Sequence, residues 1–248
     1  MFSYLIPLAV LYAVVCVAMF MLQRTLIYHP VIAQSNQYPP LKVETSSGYF
    51  AVSAHQNESD HAIIYFGGNA EDVSQTMPSL VNGFPDYCVY AMQYPGYGAS
   101  PGSPNQTKIV QNAMALYDFV KARHDRIIVV GRSLGSGVAM QMAGQNKLDR
   151  LVLVTPFDSL ADVAQSTFPF LPAKWLVMDR FDSAAIAPNL DTPTMVLIAA
   201  QDEVVPRANS DRLVSLFPKG VCTHHVIDPA DHNSLELPEK LLNQFLAP

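Results

Sequence analysis

Residues 126–143 read RIIVVGRSLGSGVAMQMA. Ile127 to Val130 are all β-branched and read as a strand, whereas the small and unbranched residues after Ser133, up to Gly144, read as a helix. Between the two, Gly131-Arg132-Ser133-Leu134-Gly135 satisfies G-x-S-x-G, a sharp strand-to-helix turn that lifts a serine hydroxyl clear of a sheet. The glycines have a steric reason: in such a turn, side chains two residues either side of the serine collide with neighbouring backbone. A helix beginning at that point also brings partial positive charge to the place where an oxyanion would develop.

A serine hydroxyl becomes a nucleophile only with a base beside it and a carboxylate to orient the base. The order that accompanies this turn is Ser, then Asp or Glu, then His. Asp202 follows the apolar run TMVLIAA, and His232 follows the last predicted strand within Ala230-Asp231-His232-Asn233-Ser234. Both fall just beyond strand C-termini, where sites collect in open α/β sheets. Glu203 and Asp158 are the rival acids. His29, His55, His61 and His124 lie before the turn, and His224 and His225 lie inside a strand, facing opposite ways and so unsuited to sharing a metal. No metal site is expected. The backbone N–H of Leu134 is the first candidate oxyanion donor, and Asn69, in the Gly-rich run Phe66-Gly67-Gly68-Asn69-Ala70 after an earlier strand, is the second.

Around these motifs strands and helices alternate. Leu41–Thr45 and Tyr49–His55 flank Ser46-Ser47-Gly48 as a hairpin, and His61–Phe66, Tyr87–Gln93, Arg126–Val130, Arg150–Val154, Thr194–Ala199 and Val221–Ile227 read as further strands. Continuous apolar runs separated by helical patterns predict an α/β architecture, a mostly parallel central sheet with helices on both faces. The segment from Phe157 to Asp191, between strands 6 and 7, exceeds a simple crossover. Its FPFLPAKWLVMDRF run suits a small lid; packing of Trp175 and Leu176 on the sheet is the plain alternative.

The 248 residues suffice for one large domain plus a short extra segment. Half are hydrophobic and 15% charged, with a net charge of −6, which provides no basic footprint for nucleic acid. From Phe2 to Leu22 there is no charge. As a helix this run spans about 30 Å, the thickness of a bilayer core, with Tyr4, Arg24 and Tyr28 as candidate interface markers. It lacks the basic start of a cleaved signal. The expected organisation is an N-terminal membrane anchor over residues 1–24, a linker over 25–40 and a catalytic domain over 41–248, giving a single-pass membrane protein. Cys16, Cys88 and Cys222 are expected as small buried hydrophobes, with Cys88 and Cys222 too far apart to bridge.

Seven stretches, LQRTLIYHP, FGGNAED, QYPGYGASPGSP, GRSLGSGVA, RFDSAAIAPNLDTP, QDEVVP and DHNSL, run from residue 22 to 235. With them the chain resembles the membrane-anchored alpha/beta-hydrolase-domain-containing serine hydrolases, the fungal bud-emergence type among them, a group similar to esterases, acyl-protein thioesterases and lysophospholipid lipases. The resemblance implies the α/β-hydrolase fold and no cofactor. It also implies hydrolysis of acyl esters or thioesters of small-molecule or lipid type, with Ser133, Asp202 and His232 as the triad and Asn69 and Leu134 at the oxyanion. A peptidase on the same fold and a catalytically silent binding protein are the alternatives. Two positions depart from the group's pattern. Gly67 stands where it usually has His, removing a supporting hydrogen bond. Asp231 stands where it commonly has Gly, setting beside His232 a carboxylate able to raise its pKa or alter its packing.

Overall fold

The computed structural model describes residues 5–46 and 48–246; Tyr4, Ser47 and the last two residues lie outside the described residues. The elements follow in the order α1 (Leu5–Ile27), β1 (Pro40–Thr45), β2 (Gly48–His55), β3 (His61–Phe66), α2 (Val73–Gly83), β4 (Cys88–Met92), α3 (Gln106–Lys121) and β5 (Arg126–Arg132). Then come α4 (Leu134–Ala143), β6 (Arg150–Val154), α5 (Leu160–Thr167), α6 (Ala173–Leu176), β7 (Thr194–Ala199), α7 (Arg207–Leu216), β8 (Cys222–Ile227) and α8 (Glu239–Leu246). Three helices start at a side-chain cap: Asp72 accepts from the Ser74 N–H, Asn105 from Lys108 and Ser159 from Asp162.

The eight strands lie in the order β1-β2-β4-β3-β5-β6-β7-β8. β2 is antiparallel to both β1 and β4, and every pairing from β4 to β8 is parallel. From β3 the chain steps outward to β4 and then back across to β5. That reversal opens a crevice at the C-terminal ends of β3 and β5, the switch point at which open α/β sheets place their ligands. β4, β6 and β7 are buried along nearly their whole length because apolar layers cover both faces. α3, α4 and α7 build one layer, with Ile109, Leu116, Val138 and Leu213 in its core; α2 and α8 build the other, with Met77, Leu80 and Leu242. β8 closes the edge and is half exposed.

The structure adds detail to the expected anchor and linker and corrects the expectation for two cysteines. The N-terminal helix does not stop at residue 24 but continues to Ile27, since Thr25, Leu26 and Ile27 contain no breaker. Within the expected linker, residues 28–39 form a strap held to the domain: the N–H of His29 donates to Asn69 O (3.1 Å), that of Gly98 to Val31 O (2.8 Å), and that of Gln34 to the Asp72 carboxylate (2.8 Å). Of the three cysteines only Cys88 is buried; Cys16 and Cys222 are partly exposed, because α1 projects beyond the domain and β8 is an edge. Cys88 and Cys222 lie five strand positions apart, roughly 24 Å at the spacing of a sheet.

Between β6 and β7 the chain forms a cap of α5, α6 and the loops around them. Trp175 is 87% exposed and so does not pack on the sheet, while Leu176 faces an internal cavity. α1 is long and apolar enough to cross a membrane.

Candidate active site

Ser133 sits at the turn from β5 into α4 with φ 50° and ψ −118°, a left-handed conformation that non-glycine residues avoid. Its N–H donates to Val154 O (2.9 Å), fastening the turn to β6. The two flanking glycines have no room for a side chain. A Cβ at Gly131 would strike Gly135 O, and one at Gly135 would strike Phe66 O. Although Ser133 occupies the N-cap position of α4, its hydroxyl makes no capping bond and is left for another partner.

That partner is His232, whose Nε2 lies 2.8 Å from Ser133 Oγ. On the other side of the ring, Nδ1 lies 2.8 and 3.0 Å from the two carboxylate oxygens of Asp202. A carboxylate only accepts, so Nδ1 carries the proton and Nε2 is free to accept from the serine O–H. Asp202 is fixed in turn by the N–H groups of Val204 (2.9 Å) and Val205 (2.8 Å). The His232 and Asp202 side chains are 8% and 3% exposed, so water competes little for these bonds. The rival acids do not reach this ring. Asp158 is buried in a cluster with Asn209 and Arg212, and Glu203 is exposed. His124 is taken up by Tyr90 and Ser59. Among the described residues no group of acids, histidines and cysteines is arranged to hold a metal.

Two supporting residues were not singled out from the sequence. Arg132, the variable residue before the serine, reaches across to the histidine loop and donates to the carbonyls of His232 (3.1 Å), Asn233 (2.7 Å) and Leu235 (3.0 Å). Glu71 holds the Gly-rich turn after β3: it accepts from the Gly68 N–H (2.7 Å), the Tyr65 hydroxyl (2.8 Å) and the Thr76 hydroxyl (2.6 Å). Glu71 also bears on Gly67. A Cβ at that position would lie 2.7 Å from Val73 Cγ1 and 3.1 Å from the Glu71 carboxyl, so the place of a histidine is already filled. Asp231 turns its carboxylate onto its own loop, accepting from the N–H groups of Asn233 (2.8 Å) and Ser234 (2.9 Å). The bonds from Ser234 and then Asn233 hold its carboxyl below the usual range, with the charge of His232 adding to them.

Asn69 and Leu134 line the same cavity as Ser133. The carbonyl of Asn69 accepts from the Tyr97 hydroxyl (2.6 Å) and its carboxamide donates to Ile27 O (3.1 Å), so the last turn of α1 and the strap pin this turn down. Ser133 separates two cavities of different character. One, of about 240 Å³, is walled by apolar residues of the cap and of α1, among them Met19, Leu26, Val163 and Leu171. The other, of about 340 Å³, is lined by polar groups including Glu71, Thr76, Arg132 and Asn233. An acyl group suits the first and a polar leaving group the second.

A model of the alpha/beta hydrolase family matches residues 66–189. The chain is 32% identical over 236 residues to an uncharacterized protein of Mycobacterium tuberculosis, covering 87% of this chain and 82% of that one. It is 28% identical over 187 residues to a lysophosphatidylserine lipase of Macaca fascicularis, 64% of this chain and 46% of that one. Among solved structures, the Pyrococcus furiosus esterase Pf2001 superposes with a TM-score of 0.69 at 18% identity, covering 89% of this chain and 96% of that one. At that identity the last likeness speaks for the fold.

Proposed function

The chain belongs to the alpha/beta hydrolase family, and from that premise we propose that it is a membrane-anchored serine hydrolase cleaving acyl esters or thioesters. The observation that carries the reading is the unbroken hydrogen-bonded line Asp202–His232–Ser133. As Ser133 Oγ attacks the acyl carbon, His232 Nε2 takes its proton and Asp202 steadies the resulting imidazolium. The N–H groups of Asn69 and Leu134 receive the oxyanion, and the helix start at α4 adds its dipole. Collapse expels the alcohol or thiol with the proton held by His232, leaving an acyl-serine. Water then repeats the sequence and releases the carboxylic acid.

An acyl substrate is supported by the apolar cavity that ends on Ser133 and by the similarity to a lipase. Anchoring is supported by α1, whose 23 residues carry no charge before Arg24. The decisive experiment is labelling by a fluorophosphonate probe: wild type labels, and Ser133→Ala does not. Unchanged labelling of the Ser133→Ala protein would falsify the assigned nucleophile.

A further inference from the structure

α1 does not stand apart from the domain. Cys16, Met19, Gln23 and Ile27, spaced by three and four residues, are the positions in its second half that lose exposure, and they form one stripe. At the lower end of that stripe the Gln23 carboxamide donates to Leu176 O (3.3 Å) and accepts from the Met178 N–H (2.7 Å), and Arg24 meets Asp179 at 3.2 Å. At the upper end the Tyr12 hydroxyl donates to the carbonyl of Phe170 at 3.1 Å. Tyr12 stands three turns above Gln23, roughly 16 Å along the axis. Phe170 therefore lies about half a hydrocarbon thickness above the level of Gln23.

Between these two levels the outward face of the cap is apolar. Phe168, Phe170, Trp175 and Met178 are 43%, 89%, 87% and 57% exposed, an apolar surface of the kind that water-facing proteins seldom carry. From Val163 to Met178 the sole charge is Lys174, which reaches back to Asp162 at 2.6 Å. The apolar cavity lies between this cap and α1, with Met19, Leu26 and Ile27 on one wall and Val163, Phe168 and Leu176 on the other.

We propose that the cap is embedded in the lipid leaflet that surrounds the domain half of α1, and that the cavity is filled from the bilayer through the seam between the two. The occupant is the acyl chain of a lipid ester, which reaches Ser133 without crossing water. The inference rests on the membrane-anchored hydrolase reading, and it makes α1 a wall of the substrate site as well as a tether. A lipid partner, in preference to a protein one, follows from continuity: the exposed aromatic side chains extend the apolar surface of a helix that is itself long enough to span a bilayer.

The test needs no substitution, because Trp175 is the single tryptophan of the chain. In the full-length protein reconstituted in phosphatidylcholine vesicles, its emission is expected to be blue-shifted, to resist aqueous iodide, and to be quenched by lipids brominated on the part of the acyl chain near the headgroup. Emission typical of indole in water, quenched by iodide and untouched by brominated lipid, overturns the placement whatever the catalytic outcome. The route is tested with Met19→Trp and Leu26→Trp, using fluorophosphonate labelling of Ser133 to show that the site is assembled. The ratio of turnover on a long-chain ester in vesicles to that on a soluble short-chain ester is expected to fall on the order of tenfold. An unchanged ratio removes the seam as the route. A wild-type protein whose Trp175 is quenched but which neither labels nor cleaves any ester refutes the proposed reaction and supports the embedded cap.

Discussion

Arg132 holds three carbonyls of the loop that carries His232, and hydrogen bonds from a charged donor contribute about 1.5–3 kcal/mol each. Arg132→Met is expected to lower kcat by roughly tenfold or more, since it misplaces the base, and to leave KM nearly constant only for an ester whose small leaving group does not fill the polar cavity that Arg132 lines. Arg132→Lys should restore part of the loss, and steady-state kinetics on one ester checks both. Asp231 makes the same loop sensitive to acid. Its folded pKa is lowered, so the stabilisation is complete above the ordinary value of 3.8 and is lost as pH falls through the folded value. Protection of the Asn233 and Ser234 amides against exchange, relative to an unstructured chain at the same pH, is expected to fall below that value in wild type and to be lost throughout in Asp231→Ala. Gly67→His must displace Val73 and Glu71, a crowding that costs about 1–3 kcal/mol; a lowered midpoint in thermal unfolding would show it. Ser133, Asp202 and His232 are legible in the sequence because each follows a strand in a set order. Arg132 and Glu71 are not: Arg132 binds backbone carbonyls, which the identity of a residue does not name, and Glu71 joins a backbone N–H to two hydroxyls that no motif pairs with it.

At the scale of elements, the strands and helices of the domain are legible because hydrophobic period and caps agree, as at Asp72 and α2 or Asn105 and α3. The side of α1 that meets the cap is not. A helix apolar all round offers no contrast from which to read a facing stripe, and its one informative residue is Gln23, a polar side chain at the edge of the apolar run. Gln23→Leu leaves the Met178 N–H and the Leu176 carbonyl without their partner, at about 1–3 kcal/mol per unsatisfied group. Faster hydrogen exchange in residues 173–178 is the expected result; exchange equal to wild type would mean that the clamp contributes nothing to cap order. The strap is legible only as a polar, proline-containing linker; its fastening at His29, Val31 and Gln34 depends on groups distant in sequence.

For the molecule as a whole, the architecture places polar and apolar surroundings on opposite sides of one hydroxyl, and a hydrophobic rod beside the apolar one. After cell fractionation the full chain is expected in the membrane pellet, resistant to alkaline carbonate and released by detergent. Recovery in the carbonate supernatant would remove the anchor. One small contact has a mechanical consequence. The carbonyl of Ile27, at the very end of α1, is bonded to the side chain of Asn69, next to the point where negative charge is proposed to gather. A rod longer than the local hydrocarbon slab leans to fit it, by an amount that slab thickness governs. Because Tyr12, Gln23 and Arg24 also tie α1 to the cap, tilting would carry helix, turn and cap together, and turnover in vesicles of graded lipid length should pass through a maximum where the slab seats all three at the depth of the substrate.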